Sequence, residues 1–443
     1  MDRPEAPPRS NIATCVMNIW MINHYATSPA SSWSTRHVSL GTELVKRGHH
    51  VRLYAASFNG RSGPFCTLAA GEEVRWERSE GVEIGWLPAP NYADNSFGRA
   101  WNMLLFAYRV LQLPRLVTER PEVIYGSTPT LFAALAGLLV ARRLGVPFVL
   151  EVRDIWPQTL IELGMSRLHP FVLLLAAVER YLHRHADAIV TLMPNATPHL
   201  VARGAKRERI HWIPNGVNFA IVPPVSPPSR KDRLEVMYAG AYASANGPET
   251  ILAAAAILRG RNGPPLRFRF IGSQARASAL LAKREALRLD NVTFERQVPK
   301  YQVYALLREA DILVAPVRYL PVHRFGVSGN KVLDYMAVAR PIVHAVRSSN
   351  HAVRDAGCGI ECPPDDPAAM ADALTILAGM SSEERWKLGL CGRRYLEQHH
   401  DFARLAVKLE SVLVGALREP LARSTSLERL ELVERANPFQ PSD

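Results

Sequence analysis

Residues 323–343 read HRFGVSGNKVLDYMAVARPIV, and this stretch decides the fold of the second half of the chain. It begins with a polar loop, residues 324–330, that contains two glycines. Apolar residues then recur with helical spacing as far as Arg340-Pro341, where the proline ends the helix and a new apolar run begins. A loop, a helix and a strand in this order are typical of α/β proteins with parallel sheets.

The same loop and helix have the chemistry of a nucleotide site. The free N–H groups and the positive dipole at a helix start attract phosphate, and Lys331 adds a cation there. Asp334 lies about one turn further on, where a carboxylate can accept hydrogen bonds from two sugar hydroxyls. An ordinary capped surface helix with a solvated Asp334 would have the same composition, so both interpretations stay open for the stretch alone.

Strand-like apolar runs alternate with helical patterns along the rest of the chain, which predicts parallel sheets with helices on both faces. The main expected helices are residues 36–47, 130–144 and 170–185, and the first expected strand is residues 13–22. A segment rich in proline, serine and charge follows Asn218 and is expected to link two domains. We therefore expect a first domain over 1–220, a linker over 221–233, a second domain over 234–400, a C-terminal helix over 401–420 that packs back on the first domain, and a polar tail over 421–443.

The bulk composition restricts the class of protein. A net charge of +12 and a pI near 9.7 favour an anionic partner, but no helix-turn-helix or RNA-binding pattern is visible, so nucleic acid is not expected. The five cysteines are scattered and resemble reduced cytosolic thiols, and their spacing does not fit a zinc site. No apolar run is long enough for a membrane span, and the first residues contain acidic side chains and prolines, which predicts no secretory signal.

Several motifs occur in an order that resembles one enzyme family. WIPNGV (212–217), the strand at 236–240 and EADILVA (309–315) resemble the large group 1 family of retaining, metal-independent glycosyltransferases. The resemblance implies the GT-B fold, an α/β architecture in which two doubly wound Rossmann-like domains face each other across a cleft. EVRDIWPQTLIELG (151–164), LMPNA (192–196) and FGVSGNKVLDYMA (325–337) resemble, more narrowly, bacterial transferases that build O-antigen, capsule or exopolysaccharide from UDP-N-acetylamino sugars.

The family resemblance implies roles for residues of the second domain. Asp334 falls on the second of two family glutamates, the ribose ligand, whereas Gly326 falls on the first, so that carboxylate is missing. The family often places an Arg/Lys pair in the segment that matches residues 240–249, and this segment has no cation. Lys331 and Arg324 are expected to supply the charge instead. The donor-binding candidates implied in this domain are Gly240, Asn246, Arg324, Gly326, Ser328, Asn330 and Asp334.

The first domain supplies the other candidates. Arg153 stands where the family has a histidine that contacts the donor sugar, and the Asp154 beside it is retained. We therefore expect Arg153, Asp154 and Lys331 to be the catalytic residues, although a structural Arg–Asp pair would look the same. Residues 24–37 replace the family's glycine-rich loop, and Ser32 is the donor-binding candidate in them, unless this is a plain connection.

The expected reaction uses a UDP-sugar as its substrate and no cofactor. No Asp-x-Asp motif follows a strand, which predicts a reaction without metal, in which cations and helix N-termini stabilise the leaving group. Retention of configuration would follow front-face attack. Two other hypotheses remain open, a nucleotide-sugar 2-epimerase of the same fold and a non-catalytic subunit that binds a sugar nucleotide.

Two segments of the first domain, residues 99–115 and 168–184, mix arginine and histidine with leucine, phenylalanine and other large apolar residues. Such segments can lie on an anionic membrane surface, or they can be ordinary amphipathic helices of the core. A membrane-embedded acceptor, such as a polyprenyl-diphosphate-linked saccharide, would account for both the charge and the apolar residues. We therefore expect a cytoplasmic protein that is peripheral on the inner face of the plasma membrane.

Overall fold

The computed structural model describes residues 16–27, 36–59, 63–64, 66–92, 97–228, 232–273 and 277–419. The strands are β1 Asn18–Ile22, β2 His50–Ala56, β3 Phe58–Asn59, β4 Gly63–Pro64, β5 Arg75–Ser79, β6 Val82–Leu87, β7 Val123–Ser127, β8 Phe148–Val152, β9 Ala188–Thr191, β10 Ile210–Trp212, β11 Leu234–Ala239, β12 Leu266–Gly272, β13 Val292–Arg296, β14 Ile312–Val314, β15 Ile342–Ala345 and β16 Gly359–Cys362. The helices are α1 Arg36–Lys46, α2 Phe97–Leu116, α3 Leu131–Leu144, α4 Gln158–Glu162, α5 Pro170–His185, α6 Thr197–Ala202, α7 Pro248–Gly260, α8 Ser278–Ala286, α9 Lys300–Leu307, α10 Asn330–Ala337, α11 Ala352–Asp355, α12 Pro367–Gly379, α13 Ser382–His399 and α14 Phe402–Arg418.

The first domain is built on an eight-stranded sheet in the order β10-β9-β8-β7-β1-β2-β6-β5. Every neighbouring pair is parallel except β5 with β6. The central strands β7 and β8 are buried along their whole length, as their continuous apolar sequences require in a sheet covered on both faces. Chain order reverses between β1 and β7, and ligands bind at such switch points, beyond the carboxyl ends of the strands.

Two helical layers cover this sheet. On one face, α2, α3 and α5 contribute Phe106, Leu138 and Leu175 to a core shared with the strands. The other face is covered by α1 and by α14, the C-terminal helix. Leucines 405, 409 and 413 of α14 are fully buried there. Helix α14 therefore completes the core of the first domain.

The second domain has a six-stranded, fully parallel sheet in the order β13-β12-β11-β14-β15-β16. Helices α7 and α12 pack together on one face, and α10 packs against α13 on the other. Chain order reverses between β11 and β14. The carboxyl ends of these two strands therefore form the crevice in which a ligand is expected in this domain.

The two-domain α/β fold predicted from alternating strands and helices is confirmed. The predicted helix over 130–144 starts at Leu131 with Thr130 as its N-cap, and it ends at Gly145, whose φ of +75° suits glycine. The predicted helix over 170–185 has the same limits as α5. The first strand was predicted too long, because β1 begins only at Asn18 and residues 13–15 lie outside the described part.

The first part of the segment between the domains is folded and packed. Residues 219–221 form a single 3-10 turn, and Val222 is buried in the core of the second domain. The Ser226 carbonyl accepts a hydrogen bond from the Arg340 guanidinium at 3.1 Å. The start of the predicted linker is therefore packed against the second domain.

Candidate active site

The helix start predicted to receive phosphate lies beside the switch point of the second domain. Helix α10 begins at Asn330, and its N-cap residue Gly329 has no side chain that could satisfy the first N–H groups. Its first turn contains no acidic residue. The positive end of this eight-residue helix is thus open to an anion.

Lys331 projects from this helix start towards β11. Its Nζ atom lies 3.0 Å from the Tyr238 hydroxyl and 4.2 Å from the centre of the Tyr238 ring. Its stem passes directly over Gly240, where an added Cβ would lie only 2.8 Å from Lys331 Cε. Burial lowers the pKa of Lys331 to about 7. A bound anion would restore the charge of this ammonium group, because an opposite charge favours the protonated form.

Asp334 lies on α10, where it is paired with two residues of α9. One carboxylate oxygen pairs with the Lys300 ammonium, and the other accepts a hydrogen bond from the Tyr304 hydroxyl at 2.9 Å. The Asp334 side chain keeps 15% of its surface exposed. A carboxylate has about four acceptor positions, so two of them remain for a sugar diol. Sequence reasoning missed Lys300 and Tyr304, because α9 precedes this helix by about 30 residues and carries no recognisable motif.

The loop before α10 is bonded to the first domain. The Asn215 N–H donates to Ser328 Oγ at 3.2 Å, and the Asn215 amide donates to the Ser328 carbonyl at 2.7 Å. Arg324 lies at 2.8 Å from Glu162 Oε1 of α4. The predicted donor ligands Ser328 and Arg324 are therefore both engaged by side chains or backbone of the other domain.

Gly326 cannot be replaced by a glutamate without moving the backbone around it. Its φ of +110° and ψ of 162° lie in a region that is essentially restricted to glycine. A Cβ there would lie 2.6 Å from Pro194 Cδ of the first domain. The close approach of the two domains thus accounts physically for the missing carboxylate.

The other donor-binding candidates have different surroundings. Asn246 lies in a short 3-10 turn, where its side-chain amide donates to the Ala241 carbonyl at 2.8 Å. Gly247, with a φ of +55°, is the N-cap residue of α7 beside it. One of the two N–H donors of the Asn246 amide is thus used within its own loop. Ser32 lies outside the described residues.

Arg153 and Asp154 follow β8 at the carboxyl edge of the first sheet. The Arg153 N–H donates to Thr128 Oγ1 at 2.9 Å, which ties the ends of β7 and β8 together. Asp154 is exposed, and Trp156 packs partly buried against the first-domain core. These contacts bring both predicted catalytic residues to the edge that faces the second domain.

Glu151 is the centre of a buried polar network beneath this edge. Its two oxygens bind Arg36 at 2.7 Å, His37 at 2.8 Å and the Tyr125 hydroxyl at 2.6 Å. Burial alone would raise the pKa of Glu151, but the neighbouring His37 and Arg36 hold it well below its usual range. The Arg36 guanidinium also donates to the Ile213 carbonyl at 2.9 Å. Glu151 is therefore a structural carboxylate with no access to a substrate.

The described residues contain neither a candidate metal site nor a candidate membrane-spanning helix. No three His, Cys, Asp or Glu side chains in the described part of the chain are grouped so that they could hold a metal ion. Within the same residues, no helix is both long and apolar enough to cross a membrane.

Two family models match the chain, one in each domain. Residues 34–216 match a "Glycosyl transferase 4-like domain", and residues 233–379 match "Glycosyl transferases group 1". The chain is 24% identical to WcaI of Escherichia coli (strain K12) over 289 residues, which are 60% of this chain and 69% of WcaI. The name of WcaI describes it as a glycosyl transferase of colanic acid biosynthesis.

Solved structures show the same fold at low identity. Sucrose-phosphate synthase from Thermosynechococcus elongatus superposes with a TM-score of 0.71 and 18% identity, over 94% of this chain and 99% of that one. HepE of Anabaena, solved with UDP and glucose, gives a TM-score of 0.63 and 14% identity, over 90% of this chain and 99% of that one. The two family models match the first and the second domain in turn, and each domain is built on a largely parallel sheet. The chain therefore belongs to the group 1 glycosyltransferases of the GT-B fold.

Proposed function

We propose that this glycosyltransferase moves a sugar, an N-acetylamino sugar by its motifs, from a UDP donor to a lipid-linked saccharide in bacterial surface polysaccharide synthesis. The main observation in support of a UDP-sugar donor is that Lys331, the uncapped start of α10 and Asp334 lie within one turn of helix. This grouping offers a cation and free N–H groups to a diphosphate, and a carboxylate to a ribose. The nucleotide in the HepE structure and the colanic acid assignment of WcaI support the proposal.

The proposed reaction separates charge at the donor phosphate. As the glycosidic bond breaks, negative charge grows on the departing diphosphate, and Lys331 with the helix start stabilises it. Asp334 holds the ribose, so that the reacting bond lies in the cleft below Arg153 and Asp154, which contact the sugar and the acceptor. Retention then follows if the acceptor hydroxyl attacks the anomeric carbon on the face that the phosphate leaves and passes its proton to the departing phosphate oxygen. The absence of an Asp-x-Asp motif supports a metal-independent reaction.

Donor use is tested by measuring UDP release from a panel of UDP-, GDP- and TDP-sugars, with and without a bacterial membrane extract as acceptor. We expect release from one UDP-sugar that depends on the extract, and its loss in Lys331→Met. Lys387→Met is the matched control, because this lysine is exposed on α13 and paired with Glu383. Conversion of the UDP-sugar without any acceptor would contradict the proposal in favour of an epimerase.

The proposed membrane contact rests on an exposed apolar stripe along α2. The residues Phe97, Trp101, Leu104, Tyr108 and Leu111 follow one another at helical spacing on the side that faces away from the core, and Trp101 and Tyr108 are 52% and 53% exposed. The opposite side of the same helix is buried. A surface helix that is apolar on both sides is expected to have a second apolar environment.

Neighbouring helices extend this surface and give it a positive charge. Leu139 of α3 and Leu173 and Leu174 of α5 are also exposed. There are three arginines on α2, two on α3 and two on α5, whereas the only carboxylate in the three helices is the buried Glu179. An exposed apolar face on helices that also carry these seven arginines suits an anionic bilayer, from whose cytoplasmic face the acceptor would be presented.

The membrane contact is tested by flotation with vesicles of anionic or neutral lipid. We expect binding to anionic vesicles that weakens in 1 M salt, where the screening length falls to ~3 Å. Replacing Trp101, Leu104 and Tyr108 by serine should abolish it, whereas the control variant with Ile376→Ser and Val407→Ser, two exposed apolar residues of other helices, should bind normally. Equal binding of both variants would contradict the membrane assignment.

A further inference from the structure

A short segment of the second domain is built into the core of the first. Residues Pro321–Phe325 form a 3-10 turn that immediately precedes residues 326–329, the donor loop before α10. Val322 and Phe325 are more than nine-tenths buried, and they belong to the apolar cluster of α2, α3 and α5. The Phe325 ring also lies 5.1 Å from the ring of His199 in the first domain. Phe325 of the second domain is thus a core residue of the first domain.

Polar contacts fix the same segment. The Asn195 N–H donates to the Phe325 carbonyl at 3.0 Å. Arg324 pairs with Glu162, whose side chain is only 8% exposed and which also accepts from the Gln158 amide at 2.8 Å. Asn195 and Glu162 lie in segments that follow β9 and β8, so both come from the carboxyl edge of the first sheet.

The donor loop that follows is held from both domains. The Val327 N–H donates to Asn350 Oδ1 at 2.8 Å, and the Asn350 amide donates back to the Val327 carbonyl at 3.0 Å, both within the second domain. One residue later, Asn215 makes its two bonds to Ser328. Only four residues separate Phe325 from Asn330, the start of α10. At ~3.5 Å per residue they cannot absorb a large displacement of Phe325 without moving the helix start.

We propose that Phe325 and Glu162 are positioning residues, through which the first domain sets the geometry of the donor loop and the start of α10. The inference rests on the proposed function in one respect, namely that this loop receives the donor diphosphate. Phe325 anchors the segment by apolar burial, and Glu162 anchors it through Arg324. The donor site in the second domain is therefore complete only when the first domain is in place against it.

The proposal assigns Arg324 a different role from that of a diphosphate ligand, and one substitution separates the two roles. Glu162→Gln keeps the size of the side chain but removes the charge that holds Arg324. If Arg324 positions the loop, the variant should bind UDP less tightly than the wild type. If Arg324 is instead a phosphate ligand that Glu162 restrains, the variant should bind UDP equally well or more tightly.

The main test measures UDP affinity by calorimetry in Phe325→Ala and Phe325→Leu. We expect Phe325→Ala to weaken binding roughly tenfold, which is about 1.4 kcal/mol, and Phe325→Leu to restore most of the affinity. Phe171→Ala is the matched control, since this ring packs against the same core from α5, far from the donor loop in sequence. It should lower the melting temperature without changing the affinity for UDP.

Amide hydrogen exchange supplies a measurement that needs no nucleotide. Phe325→Ala should accelerate exchange in peptides over residues 326–333, whereas Phe171→Ala should not. Failure of wild-type protein to bind UDP would overturn the proposed donor, but it would leave this exchange test valid. Unchanged exchange in Phe325→Ala would overturn the positioning role itself. So would an unchanged UDP affinity of Phe325→Ala when the wild-type protein binds UDP.

Discussion

Raising the pH from 7 to 8.5 should weaken UDP binding, because Lys331 loses its proton in the free protein but keeps it beside a bound diphosphate. The pKa of Lys331 is lowered to about 7 by burial. If the bound phosphate returns it to its ordinary value near 10.4, binding takes up about half a proton at pH 7 and nearly one at pH 8.5. The affinity is then proportional to the fraction of free protein in which Lys331 is protonated, and this fraction falls about sixteenfold over this interval, which is about 1.6 kcal/mol.

Calorimetric titrations at several pH values, each in two buffers of different ionisation enthalpy, measure both the affinity and the proton uptake. Uptake should approach about one proton per UDP at pH 8.5. The control is Lys331→Met, which should bind more weakly at pH 7 and show no dependence on pH. An affinity that stays constant in the wild type, or that falls equally in Lys331→Met, would refute the assignment of Lys331 to the diphosphate.

The remaining predictions concern the ribose site, the domain contact and the metal. Asp334→Ala should weaken UDP binding by about 1–3 kcal/mol in calorimetry, since a charged acceptor for two hydroxyls is lost; if a folded variant binds as well as the wild type, Asp334 does not bind the ribose. Gly326→Ala should lower the free energy of unfolding by about 1–3 kcal/mol, because its backbone angles suit only glycine, and the added Cβ would meet Pro194; denaturant unfolding that matches the wild type would contradict this. Sugar transfer should persist in EDTA, and a loss reversed by manganese would show that the reaction needs a metal.

The architecture could be predicted because it depends on local patterns. Alternation of strand and helix signals, the glycine after α3 and the loop before α10 are all visible in a few neighbouring residues. Helix α2 is different, because large apolar residues lie on both its buried and its exposed side, and no periodicity indicates which side faces the core. The exposed stripe became visible only once the helix was placed on the sheet.

The site was predictable only where a single segment forms it. Lys331 and Asp334 lie three residues apart, so sequence alone could group them. Glu151 and Arg36, in contrast, are 115 positions apart, and their pairing depends on how β8 and α1 are packed. Phe325 looks like any apolar loop residue in the sequence, and nothing nearby indicates that its pocket belongs to the other domain.

Because α14 packs on the first domain, the core of that domain can be completed only near the end of synthesis. His49, next to β2, bonds at 2.8 Å to Glu410 of α14, 361 positions later in the chain. At ~5–20 residues per second, a ribosome needs roughly 20–70 s to produce the second partner after the first. During that interval the apolar surface of α1, β8 and β9 that α14 later contacts is not yet covered by this helix. The nascent first domain is therefore expected to expose this apolar surface until α14 has been synthesised.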